Sequence, residues 1–402
     1  MKLHRNLCNA VIAGLKDILL DKKQADVTVS NLLQSNKSWG VRDRNFIADN
    51  IYSIVRYKRL YEFCMGDELF GEVSLWKLFG TKLILDGADL PDWEHINELN
   101  RDETLKRFEE AKTIRKIRES IPDWFDQLGV KEMGAEVWEK EIAALNTQAQ
   151  FSIRINTLKT SPHILKRLFT DEGIEFAEVA EAPDALLIKG KRNFRNHTAY
   201  KSGLFEIQDI SSQLVAPFAE PGTGMNVIDG CAGAGGKSLH LSALMQNTGE
   251  ILSVDIHQNK LDELERRANR DGCKNIKTMH ADKLTGHYRG LLQSFADRIL
   301  VDVPCSGTGV LRRKPDAKWS LTPKFLGELK EAQAQILSEY APMLKTGGLL
   351  VYSTCSILPS ENELQVKAFL ERHSNFELIE DKRISPADTG FDGFYMAKMR
   401  KV

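Results

Sequence analysis

The feature that most constrains the fold is a regular alternation over residues 206–402. Segments 225–229, 250–255, 277–281, 298–303 and 348–353 read as short strands. Segments 238–246, 258–271 and 324–344 carry helical periodicity and fall between them. Strands and helices that alternate in this way build a doubly wound, mostly parallel α/β sheet. In such a sheet, ligands bind beyond the carboxyl ends of the strands. Chemistry-bearing residues are therefore sought first in the turns that follow the strands.

With 402 residues the chain is too long for one ordinary core. Residues 1–145 read as helical throughout. Val11, Leu15, Ile18 and Leu19 recur at helical spacing, as do Phe46, Ile47, Ile51, Ile54 and Val55. Residues 146–205 change character. Phe151 to Asn156 alternates like a strand, Ile164, Leu165, Leu168 and Phe169 suggest a helix, and Ala185 to Ile188 reads as a second strand. The expected organisation is an all-α domain, a small α+β unit and an α/β domain over 206–402. No apolar run reaches bilayer length and the start shows no cleavable leader, so a cytoplasmic location is the expectation.

The turn after the first of these strands is Gly230-Cys231-Ala232-Gly233-Ala234-Gly235-Gly236-Lys237-Ser238. Small residues at a strand-to-helix turn let the backbone approach a ligand closely. The next strand ends in Asp255, where a carboxylate can grip ribose hydroxyls. This combination suits a nucleotide-like cofactor. A phosphate-binding loop is excluded, because GxxxxGK[ST] would need glycine where Cys231 stands. The dinucleotide fingerprint GxGxxG is not met either. A tight turn without a ligand is the bland alternative. Against it, Asp229, Asp255, Asp282 and Asp302 all fall at the same edge of the expected sheet.

The six cysteines show no CxxC pair, so neither a metal site nor a disulfide framework is expected. Cys8, Cys64 and Cys273 read as buried small hydrophobes, the common fate of a free cysteine. Cys231 lies in the glycine-rich turn, where its backbone matters more than its thiol. Cys305, in Asp302-Val303-Pro304-Cys305-Ser306-Gly307-Thr308-Gly309, and Cys355, in Ser353-Thr354-Cys355-Ser356, each occupy a small polar turn after a strand. Two thiols at one sheet edge suit methylation of cytosine at C5. A thiolate adds to C6, C5 becomes enamine-like and takes the methyl group, the C5 proton leaves, and the thiolate is expelled. Asp302 is placed to bind the cytosine edge. Residue chemistry alone leaves open which thiol attacks.

With these motifs in place, the catalytic half resembles the RNA 5-methylcytosine methyltransferases of the Sun/RsmB type. The matching stretches are 229–238, 255–267, 302–309 and 353–363, flanked by 205–212 and 390–397. The pairing of Pro-Cys-Ser-Gly-Thr-Gly with Ser-Thr-Cys-Ser is specific. The likeness implies a Rossmann-like class I methyltransferase domain that uses S-adenosyl-L-methionine. It implies that Cys355 attacks C6 and Cys305 aids release, whereas DNA cytosine methyltransferases use the Pro-Cys thiol as nucleophile. It also implies that Cys231, Ala232, Gly233, Ala234, Gly235, Gly236, Lys237, Asp255, Asp282 and Asp302 line the cofactor site. One departure is Ala234, where the family often has proline, which suggests a less rigid turn.

The helical part is similar, more weakly, to a NusB-like RNA-binding domain, through Trp39-Gly40-Val41-Arg42-Asp43-Arg44 and Arg56-Tyr57-Lys58-Arg59. The unit at 146–205 resembles the RRM-like insert of the family, opening at Arg154. The implied partner is RNA, with 16S ribosomal RNA favoured by the N-terminal likeness. A monomer is expected. Transfer RNA is the alternative substrate, and a non-catalytic RNA-binding ribosome assembly factor is the alternative role. The net charge of −1 means that RNA contact must come from local patches. Lys189, Lys191, Arg192 and Arg195 around Phe194 form one candidate. Arg312, Arg313, Lys314 and Lys318 beside Trp319 form another, favoured because it follows Cys305. A solvated loop is the alternative for each.

Overall fold

The computed structural model describes residues 3–67, 71–190 and 193–402. The chain divides into two compact units. One comprises Met1–Gln148 together with Leu311–Pro323, and the other Ala149–Val310 together with Lys324–Val402.

The first unit is helical. Helix Arg5–Leu15 buries Leu7, Val11 and Leu15, and helix Val41–Arg56 buries Ile47, Ile51, Ile54 and Val55. Residues three and four apart share one helix face, so these stripes meet in one core. Several cations of this unit are consumed by its own backbone. Arg44 donates to the carbonyls of Trp39, Leu33 and Asn36, closing the end of helix Ala25–Ser35. Arg59 donates to the Ile121 carbonyl at 2.6 Å and pairs with Asp123.

Segment 311–323 leaves the α/β part of the sequence and becomes part of this helical core. Trp319 Nε1 donates to the Val55 carbonyl at 2.7 Å, and Asp316 accepts from the backbone N–H of Ala25, the first residue of its helix, at 3.0 Å. Lys318 is only 1% exposed, with Nζ 3.3 Å from Asn146 Oδ1. Arg312 is buried as well, and its carbonyl accepts from Arg56 at 2.8 Å. This corrects in part the expectation of a nucleic-acid patch at 312–319: Arg312 and Lys318 are withdrawn from solvent, whereas Arg313 is half-buried and Lys314 exposed. The other patch is corrected in part. Phe194 is buried among Phe169 and Phe205, so its ring offers no stacking face. Lys191 and Arg192 of that patch lie outside the described residues.

The second unit holds two sheets. Strands β1 Phe151–Ile155, β2 Phe176–Glu178, β3 Ala185–Ile188 and β4 Phe205–Ile207 form an antiparallel sheet in the order β2-β3-β1-β4. Helix Pro162–Asp171 covers it with Leu165 and Phe169. The larger sheet contains β5 Asn226–Asp229, β6 Glu250–Asp255, β7 Ile276–His280, β8 Ala296–Asp302, β9 Leu344–Thr354, β10 Phe376–Ile384 and β11 Phe394–Lys401. Its order is β10-β11-β9-β8-β5-β6-β7. Strands β5 to β9 pair in parallel, while β11 is antiparallel to both β9 and β10. The doubly wound, mostly parallel α/β reading therefore holds, with two antiparallel strands added at one edge. Strand β10 escapes sequence reading because its interior is exposed from Glu377 to Arg383 and lacks an apolar face. Among the described residues no helix is long and apolar enough to cross a membrane.

Candidate active site

The parallel register sets where each acid falls. Asp229 of β5 lies opposite Ser253 of β6 and Leu300 of β8. Asp255 and Asp302 are therefore each two residues further along, beyond the carboxyl end of β5. The two strands flanking β5 thus extend past it at the carboxyl edge beside the glycine-rich turn, where ligands bind in open α/β sheets. Gly233 faces open space, and its N–H donates to Asp255 Oδ2 at 2.8 Å. Gly235 has φ +84, and a Cβ there would sit 2.4 Å from Leu264 Cγ, so glycine is required on both counts.

The turn is held by two arginines rather than by a proline. Arg267, on helix Gln258–Asp271, donates to the Ala234 carbonyl at 2.5 Å. Arg154, on β1 of the small sheet, donates to the Gly236 carbonyl at 2.7 Å and to Gln208 Oε1 at 2.7 Å. Buried guanidinium groups make strong, directional bonds to carbonyl oxygens. Ala234 therefore does not leave the turn loose, which corrects the expectation drawn from the missing proline. The signal for Arg154 was present in the sequence only as an unexplained arginine within a strand.

Asp229 is 1% exposed and accepts from Ser238 Oγ at 2.6 Å. Its Oδ1 is buried and has no hydrogen-bond partner among the described residues. Burial, reinforced by the charges of Asp302 and Asp255, pushes its carboxyl up to about 6. This orphaned acceptor, the small-residue turn and the neighbouring acids fit a ligand carrying cationic and hydroxyl groups. S-adenosylmethionine has a sulfonium, an ammonium and a ribose diol. Asp255, whose Oδ1 also accepts from His257 N–H at 2.9 Å, is held in place by backbone donors. Asp282 is 90% exposed and makes only a 3.5 Å approach to His280, so it stands less fixed than Asp255. Ile256, immediately after Asp255, is 65% exposed.

Lys237 turns its ammonium toward Asp302, with which it forms a very short ion pair, and lies 5.3 Å from the centre of the Phe394 ring. The other Asp302 oxygen accepts from Ser353 Oγ at 2.9 Å. Lys237 thus links the glycine-rich turn to the turn that carries Cys305.

Asp302 and Ser353 are register partners on β8 and β9, so the turns that follow them emerge side by side. Cys305 Sγ and Cys355 Sγ are 3.2 Å apart. The adjacent Cys355 sulfur, then burial, push the Cys305 thiol well up from its ordinary range. Burial, with Asp229, Asp302 and Asp255 nearby, also raises Cys231. The remaining thiols are raised by burial alone or chiefly by it: Cys8 to about 11, Cys64 to about 12, and Cys273 in the same direction. These are inert side chains, as their sequence context suggested.

Sequence matches fall where this geometry does. Residues 217–400 match the family model described as 16S rRNA methyltransferase RsmB/F, and residues 121–195 match the ferredoxin-like domain of RsmF/B-like methyltransferases. The chain belongs to the RsmB/F methyltransferase family. A probable ribosomal RNA small subunit methyltransferase B from Bacillus subtilis is 36% identical over 70% of this chain and 66% of its own length. One of the same description from Synechocystis is 29% identical over 96% of this chain and 98% of its own. Among solved structures, a methyltransferase homolog protein from Pyrococcus horikoshii aligns with a TM-score of 0.64 and 28% identity, covering 72% of this chain and 98% of its own. Within this family the methyl donor is S-adenosylmethionine.

Proposed function

We propose that this family member methylates C5 of a cytosine in small-subunit ribosomal RNA through a covalent Cys355 adduct. The observation that carries the reading is the pair of thiols 3.2 Å apart in turns that follow adjacent strands. S-adenosylmethionine supplies an electrophilic methyl group. The protein must make an unreactive aromatic carbon nucleophilic, and a thiolate adding to C6 does so. Two touching sulfurs do not both ionise readily, because like charges repel at short range. The adjacent sulfur and burial push the Cys305 thiol well up from its ordinary range. The likeness to Sun-type methyltransferases supports Cys355 as the attacking group and Cys305 as the group that assists release after the methyl group is in place. Asp302, aligned by Ser353 and Lys237, supports binding of the amino edge of the base. Cys231 to Lys237, Asp255 and Asp282 are proposed to hold the methyl donor.

The RNA assignment rests on the family and on the printed descriptions of the Bacillus and Synechocystis relatives. The target base must be unstacked or single-stranded to meet the thiols.

The test pairs two cysteine variants with bisulfite sequencing of total RNA from cells with and without the protein. Cys355→Ala should abolish methyl transfer. Cys305→Ala should leave enzyme and RNA covalently joined, seen as a retarded band on a denaturing gel. A retarded band with Cys355→Ala instead would reverse the two roles. Protein-dependent marks confined to transfer RNA would sink the ribosomal assignment while leaving the chemistry intact.

A further inference from the structure

Glu361 is fully buried, and the groups around it come from both thiol-bearing turns. Its Oε1 accepts from the backbone N–H of Ser306 at 2.8 Å and from Gln333 Nε2 at 3.0 Å. Its Oε2 accepts from Ser356 Oγ at 2.6 Å and, in a very short bond, from Ser306 Oγ. Ser306 follows Cys305 and Ser356 follows Cys355. Gln333 also donates to the Pro304 carbonyl at 3.0 Å, which fixes the residue on the other side of Cys305. Thr308 Oγ1 lies 2.9 Å from Ser356 Oγ, and Gly309 N–H donates to the Cys355 carbonyl at 2.9 Å. Every donor that a buried carboxylate needs is supplied by the two turns or by a residue that braces one of them.

The geometry points to Glu361 as a positioning residue that clamps the two turns together and sets the distance between the Cys305 and Cys355 sulfurs. This rests on the thiols being the reacting pair. A buried carboxylate is costly unless fully hydrogen-bonded, so a core that needed only packing would be better served by an apolar side chain. Its position suits a second effect. The negative charge of Glu361 is among the causes that hold Cys305 protonated, after the adjacent Cys355 sulfur and burial.

Phenylarsine oxide provides a test that needs no RNA. It condenses with two thiols that are close together, forming two As–S bonds and releasing water. Wild-type protein should capture it, and Cys305→Ala should not. Glu361→Gln keeps the size of the side chain and removes its charge. The expected result is arsenical capture weakened about tenfold, as loss of roughly 1.4 kcal/mol of charge-assisted hydrogen bonding would give, with S-adenosylmethionine affinity by calorimetry unchanged. Alkylation of Cys305 in a Cys355→Ser background should then begin at lower pH in the Glu361→Gln variant. Capture within about twofold of wild type, inside the usual spread for a surface substitution, overturns the clamp. If Glu361→Gln fails to fold, Ser306→Ala/Ser356→Ala removes two of the donors and is read by the same criterion. Capture does not depend on which base is methylated. Loss of capture therefore supports the clamp even if no cytosine is marked, and the bisulfite result judges the proposed reaction separately.

Discussion

Lys318 Nζ lies 3.3 Å from Asn146 Oδ1 inside the helical unit, although Lys318 follows Cys305 by only 13 residues in sequence. The amine also approaches the Glu119 carbonyl at 3.5 Å, and Asn146 Nδ2 in turn holds Glu119 Oε2 at 3.0 Å. A lysine that reads as a surface cation is thus one member of a buried polar network. Burial pushes its amine well below the usual lysine range.

Replacing Lys318 tests whether this network holds the excursion in place. Lys318→Ala leaves a cavity and an unpartnered Asn146 oxygen, and should cost about 2–4 kcal/mol of stability. Lys318→Met fills the space without burying an amine and should cost less. Denaturant melts of the two variants should show that order. Equal or negligible losses would mean the segment is held by its other contacts, among them those of Trp319, Asp316 and Arg312.

Asp229 makes a pH-dependent prediction. Its folded-state pKa of about 6 lies above the ordinary value of 3.8, so the folded state binds the proton more tightly than the unfolded state does. The associated stability is fully present below 3.8 and is lost as pH rises through about 6. Asp229→Asn removes that loss. Its melting temperature relative to wild type should therefore increase between pH 4 and pH 7.5, by an amount reflecting at most about 3 kcal/mol. Calorimetry of the ligand-free protein across that range provides the measurement, and a pH-independent difference would contradict the raised pKa.

Arg267 should matter for the methyl donor rather than for the thiols. Arg267→Met frees the Ala234 carbonyl, while Arg270 still pairs with Glu206. Weakening of S-adenosylmethionine binding by about tenfold is expected, equivalent to one charge-assisted hydrogen bond of roughly 1.4 kcal/mol. Isothermal titration calorimetry reads this directly. Unchanged affinity would show that the turn keeps its shape without the arginine.

Gly309 and Gly393 approach so closely that a Cβ on Gly309 would lie 2.1 Å from the Gly393 carbonyl oxygen. Gly393 N–H donates to the Gly309 carbonyl at 2.8 Å, joining the turn after Cys305 to the entry of β11. Gly309→Ala must push this backbone pair apart, and a destabilisation of about 1–3 kcal/mol should follow. Arsenical capture by the thiol pair should weaken with it. A variant with wild-type stability and capture would show that this contact has room to relax.

What the residues alone determined is local or periodic. The strand-to-helix alternation yields the parallel sheet. The glycine-rich turn and the acids at strand ends mark one edge of it, and the two cysteine turns fall after strands that prove to be neighbours. These features are legible because a chain's hydrophobic period and its turn chemistry act over a few residues. Tertiary structure decided the rest. The exposed strand β10 is recognised only through its pairing with β11. The return of 311–323 to the helical core buries two of the expected surface cations, Arg312 and Lys318. Arg154, Arg267 and Glu361 acquire their roles from partners distant in sequence, such as Gly236 for Arg154 and Ser306 for Glu361. A buried charge takes its meaning from the donors and acceptors that folding gathers around it, and no spacing along the chain encodes those.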